Sequence, residues 1–234
     1  MRAASLIAAL CLVVLGAAGC EAINDATAPI DRSKLIEDMT QQLDEGREVL
    51  HQAEYQLAGG YRGSVAQQVM PARTVYGYPG GMLIVNGTEQ TLCDTNARPA
   101  KCQLRNIAAA SAGLPTSYTE PTKHGLITGP VVADLLRVAS LQPAAVVKPH
   151  DSTIAGQQAS CLDISGLVDA PSALFTVCVT AEGVLASFSG VVDGLNVDQA
   201  LIQVNRRVGD EAFALPVGAV VADLRQRASP ASIG

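Results

Sequence analysis

Apolar and polar positions sort the chain into a short uniform apolar run, a helical stripe, a long stretch of alternation, a second helical stripe and more alternation. Leu35, Ile36, Met39 and Leu43 recur at i, i+1, i+4 and i+8, which predicts an amphipathic helix over 33–45 with Asp31 as N-cap and Gly46 as its stop. Beyond it, Leu50, Ala53 and Leu57 would continue a helix, whereas Val49, Ala53, Tyr55 and Leu57 alternate as a strand. Gly46 and the pair Gly59-Gly60 favour the strand, over about 48–58. Met82 to Val85 and Glu89 to Leu92 flank Asn86-Gly87-Thr88, a strong short hairpin signal, and Arg73 to Tyr76 supplies a strand before them. Residues 106–129 are rich in Ala, Ser, Gly and Pro and predict a loop with a helical turn from Ile107 to Ala112. A second helix fits Pro130 to Leu141, with Pro130 in the first turn. Its apolar side is either Val131, Leu135, Val138 and Leu141 or Val132, Leu135, Leu136 and Ala139. The last third reads as strands at 144–148, 151–155, 158–164, 174–180, 184–188 and 201–208, with a tight turn at Thr180 to Val184. Residues 219–228 read as a short helix or a tail.

Two helices among so many strands leave no material for repeated parallel crossovers. The expected fold class is α+β, a curved antiparallel sheet forming a half-open barrel with helices covering its concave face.

The uniform run, Leu6 to Leu15, is too short to cross a bilayer and follows Arg2, so residues 1–19 predict a signal peptide. Ala18-Gly19-Cys20 fits a bacterial lipobox, in which the Cys20 thiol takes a diacylglyceryl group. Ala17 departs from that pattern, which prefers Leu there. Two acyl chains hold a protein stably on a bilayer. The chain is thus expected to be lipid-anchored on the outer side of the cell membrane. Residues 20–31 would be the lipidated cysteine and a small polar tether, 32–217 one domain and 218–234 the terminal helix or tail. Apart from Cys11 and Cys20, four cysteines remain, which allow three pairings. Cys93 and Cys102 bracket a turn-rich stretch, and Cys161 and Cys178 lie on neighbouring apolar runs, so spacing favours 93–102 and 161–178.

Charge and composition remove several classes of function. A net charge of −6, or −7 once Arg2 leaves with the signal, argues against nucleic-acid binding. With no Trp, stacking platforms are few. No nucleophile elbow, phosphate loop, dinucleotide turn or zinc-protease helix occurs, so no catalytic residue and no cofactor are predicted. Ser187 and Ser189 fit strand alternation, and His51, His124 and His150 are scattered, with His150-Asp151 reading as a solvated turn. No metal site is expected, because no CxxC pair exists and the histidines are not at ligand spacing from the cysteines.

The lipobox, Cys93 and Cys102 after a hairpin, Ile154-Ala155-Gly156 before Cys161, Phe175 to Thr180 followed by Glu182-Gly183-Val184-Leu185, and Glu211 to Pro216 together resemble a group of actinobacterial cell-envelope lipoproteins. That group is similar to the LolA-like and LppX/LprG-like lipid-carrier fold, and the resemblance spans residues 33–217. It implies a half-open barrel holding acyl chains under its helices. A curved sheet with three Phe and five Tyr to fill it leaves room for such a ligand. The candidate lining is Leu35, Met39, Leu43, Leu83, Val85, Leu135, Val138, Phe175, Val177 and Phe188. The competing reading is a structural or interaction lipoprotein with a solid core, in which the same positions are packing residues. A continuous apolar cavity above ~300 Å³ would separate the two.

Overall fold

The computed structural model describes residues 32–107 and 115–225. Cys20, the leader, the tether, Asp31 and most of the turn expected from Ile107 to Ala112 lie outside them. The chain divides after Asp31, and Arg32–Gly234 forms one unit.

That unit opens with α1 (Arg32–Gly46), which buries Ile36, Met39 and Leu43 as the 3.6-residue stripe requires. Six strands follow: β1 (His51–Leu57), β2 (Arg62–Gln68), β3 (Arg73–Tyr78), β4 (Gly81–Asn86), β5 (Glu89–Asp94) and β6 (Lys101–Asn106). A short turn, α2 (Glu120–Lys123), and the amphipathic α3 (Gly129–Ser140) come next. Five more strands complete the two runs of alternation: β7 (Val146–Ile154), β8 (Gln157–Ser165), β9 (Phe175–Thr180), β10 (Leu185–Val192) and β11 (Leu195–Asn205). The last element is β12 (Val220–Asp223).

The strands form one open, curved sheet in the order β12-β6-β5-β4-β3-β2-β1-β11-β10-β9-β8-β7, not closed into a barrel. It is two meanders of consecutive antiparallel neighbours, β1 to β6 and β7 to β11, joined where β1 pairs with β11. A bulge between Glu54 and Tyr55 bends that seam. Helices α1 and α3 pack on one another and on the inner face of the second meander.

Several expectations are corrected. The segments 144–148 and 151–155 are one strand, β7, running through Pro149-His150. Proline is tolerated there because β7 is an edge strand with no partner on its outer side among the described residues. His150 is therefore in a ladder opposite Cys161 and not in a turn. Strand β11 begins six residues before the expected 201, since Asp193-Gly194, both at positive φ, close a hairpin with β10. Strands β2 and β6 were not anticipated, because Arg62 to Gln68 and Lys101 to Asn106 are mostly polar. The terminal helix or tail is replaced by β12, which pairs parallel to β6, so the sheet extends past residue 217. On α3 the buried set is Val131, Val132, Leu135, Leu136 and Ala139, whereas Leu141 is 70% exposed.

Candidate functional site

The space expected to hold a ligand lies between the helices and the inner face of the sheet. Strand alternation sends Leu162, Ile164, Phe175, Val177, Val179 and Phe188 to that face, where they meet Ile36, Met39 and Leu43 of α1 and Val132, Leu135, Leu136 and Ala139 of α3 in one cluster. Phe175 and Phe188 stack with ring centroids 5.6 Å apart. Of the ten sequence-nominated lining residues, Met39, Leu43, Leu135, Phe175, Val177 and Phe188 belong to this packed cluster, and Leu35 packs at its fringe. Val138 is half-buried on α3 outside it. Leu83 is fully buried in a second cluster on the first meander, with Val85 half-buried beside it. The nominated set is thus divided between two cores.

The second cluster combines Ala53, Tyr55, Leu57, Tyr76, Tyr78, Leu83, Leu126, Val184 and Leu201. Its phenols are structural. Tyr55 Oη donates to the Leu185 carbonyl at 2.9 Å, tying β1 to β10. Burial raises the Tyr55 and Tyr76 pKa values and pushes Tyr78 up to about 12, so all three stay protonated donors at physiological pH. Tyr78 stacks on His124 at 5.1 Å. Between the two cores sits Gln199, opposite Phe188 on one side and Leu57 on the other. Its Oε1 accepts from the Ile127 amide at 2.9 Å, which fixes the entry to α3. Sequence reading passed over Gln199, although a polar residue alternating with Val197 and Leu201 at inward positions was visible.

Beyond the inner face, both disulfides join register partners: Cys93 to Cys102 across β5–β6 and Cys161 to Cys178 across β8–β9. His150 comes next to the second bridge, its ring nitrogen and the two sulfurs lying within 4.8 Å of one another. Sequence spacing had set this histidine apart, but strand pairing erases such separation. The two sulfurs are bonded to each other and offer no thiolates, so the triad is not a metal-binding set. His150 Nδ1 instead lies 3.5 Å from Asp163 Oδ2.

Hollows on the surface of the described residues include two open ones. One of ≈ 780 Å³ runs along the outer side of α1 and α3, lined by Glu37, Thr40, Gln41, Asp44, Glu45 and Arg137 among others. The other, ≈ 550 Å³, lies on the sheet at Gln52, Glu54, Arg62, Ser64 and Tyr78 to Gly81. Both are open and polar-rimmed, and neither occupies the space between α1, α3 and the second meander.

No protein-family description matches the sequence, and no curated protein does. Among solved structures, an uncharacterized conserved protein from Thermus thermophilus is similar over 80% of this chain and 98% of its own, at 11% identity and TM-score 0.47. MucB in complex with MucA(peri) is similar over 78% of this chain and 60% of its own, at 11% identity and TM-score 0.45. MucB alone covers 79% and 64%, at 12% identity and TM-score 0.43. The fold class rests on the strand order and register described above.

Proposed function

We propose that the chain is an extracytoplasmic lipoprotein, held on the outer side of the cell membrane through Cys20, that works as a non-catalytic structural or interaction module with a solid core. The observation that carries this reading is the packing under the helices. Seven of the ten nominated lining residues (Met39, Leu43, Leu83, Leu135, Phe175, Val177 and Phe188) are no more than 5% exposed and touch one another or their neighbours. The packing of these side chains on one another supports a filled space under the helices. Two disulfides agree with an oxidising compartment outside the cytoplasm.

A lipid-carrying reading draws support from a different place. On the inner face of the first meander Val65, Val85 and Leu92 are only half-buried, leaving apolar surface that a long-chain ligand could cover. Mass spectrometry of organic extracts from natively purified protein separates the two. A solid core yields no stoichiometric lipid beyond the Cys20 anchor. Ala139→Trp, at a fully buried position on α3, then overpacks and destabilises by about 1–3 kcal/mol. Co-purifying lipid near one per chain would overturn the proposal.

A further inference from the structure

One end of the sheet collects exposed apolar side chains, and the chain enters the domain at that same end. Strand β7 starts there, β8 ends, β9 starts and β10 turns into β11. Helix α3 also ends there, and α1 begins there. The Arg32 guanidinium donates to the carbonyls of Pro143 and Ala145 in the α3–β7 connection. That connection is stitched in turn to the β8–β9 loop: the Gln142 amide side chain bonds both Val168 N and Val168 O at 2.8 Å. The β8–β9 loop meets the β10–β11 hairpin through Asp193 N to Pro171 O, 2.8 Å.

Six large apolar residues project from this stitched end: Leu141, Val146, Val168, Leu174, Val191 and Leu195, each between 41% and 70% exposed. Val146, Leu174 and Val191 fall close to one cross-strand row, because Val146 pairs with Ser165, Ile164 with Phe175, and Phe175 with Gly190. Singly such residues are ordinary on a surface; here six gather at one end, Val146, Leu174 and Val191 on the outer face of the sheet and Leu195 on the inner. The charges at this end are few and mixed, Arg32 with Asp169 and Asp193, while Lys34 is paired with Asp38 at 2.8 Å, so an electrostatic partner is not indicated.

We infer that this end is a membrane-docking surface whose occupant is the interfacial layer of the bilayer that carries the lipid anchor. The inference rests on the reading of Cys20 as the anchor. The point of attachment identifies the occupant: only eleven residues lie between Cys20 and Arg32, and Arg32 is at this end. Helix α1, 15 residues long, carries the opposite end about 22 Å further from that entry point. The apolar end is therefore the one joined to the proposed anchor by the shorter stretch of chain. Leu and Val side chains enter the headgroup boundary by burial of apolar area, which low net charge does not oppose.

The absence of Trp from the chain makes the test direct. Mature, lipidated full-length Leu174→Trp is reconstituted into phosphatidylcholine vesicles with and without brominated acyl chains. Val168→Trp serves as a second reporter should the first fold poorly. Met70→Trp, at the 86% exposed β2–β3 turn of the opposite end, is the control. Docking is supported if Trp emission at 174 or 168 shifts to the blue and is quenched by bromine, unchanged by added salt, while emission at 70 stays unquenched. Protein that floats with the vesicles but shows no quenching at 174 and 168, or equal quenching at all three, overturns the docking and leaves the anchor standing. Protein that does not float at all overturns the anchor, and the docking with it.

Discussion

At the scale of single residues, the firmest chemical consequence belongs to His51. It is 6% exposed at the start of β1, with Nδ1 2.9 Å from the Val49 carbonyl, which also accepts from Gln67 Nε2 at 3.1 Å. Desolvation lowers its pKa below the ordinary 6.5, with partial opposition from the Val49 carbonyl and a smaller downward push from Arg206. A folded pKa below the unfolded one means that the unfolded chain binds more protons between the two values. Stability is therefore complete above pH 6.5 and is lost as pH falls from 6.5 towards the depressed value. Thermal melts from the neutral side of that value to the acid side should show this decline, and His51→Gln should flatten it. An equal slope in the variant would assign the decline to other groups.

The seat of α1 governs the scale of elements. Its last residue, Gly46, lies backbone to backbone against Gly183 in the β9–β10 turn, so closely that a Cβ on either would collide with the other segment. Gln42 Nε2 donates to Thr180 O at 2.8 Å and Gln67 Nε2 to Gly46 O at 2.8 Å, locking the helix end to both meanders. Gly183 also holds φ = +79°. Gly183→Ala should cost at least about 1–3 kcal/mol from backbone conformation alone, plus displacement of α1. Urea unfolding measures it, and a variant as stable as wild type would mean that α1 is not seated there. Both helices were legible in the sequence because a 3.6-residue stripe survives whatever it packs on. The β3–β5 hairpins were legible through Asn86-Gly87 and their alternation. Strands β2, β6 and β12 were not, since their pairing comes from neighbours and not from their own composition. The candidate site was legible only as a list of inward apolar positions. Whether such positions enclose a space or fill it depends on how two helices settle, which periodicity does not encode.

For the whole molecule, the anchor proposed at Cys20 can be tested apart from the fold. None of the described helices is long and apolar enough to cross a membrane. Cys20→Ala should then move the protein from detergent-phase membrane fractions into the aqueous phase while its melting temperature, measured with the signal peptide removed, stays the same. Retention in the membrane fraction would count against the lipobox reading.

The seam between the meanders also fixes the order in which the protein can be finished. Gln52 pairs with Asn205, whereas nearly all other strand pairings join consecutive strands. A chain made from its N-terminus can zip β1 to β6 early, yet β1 then waits with an unpaired edge until the last long strand emerges. Unpaired edges recruit other chains. Any product that stops short of residue 195 keeps the β1 edge open, however many of its other strands have already paired.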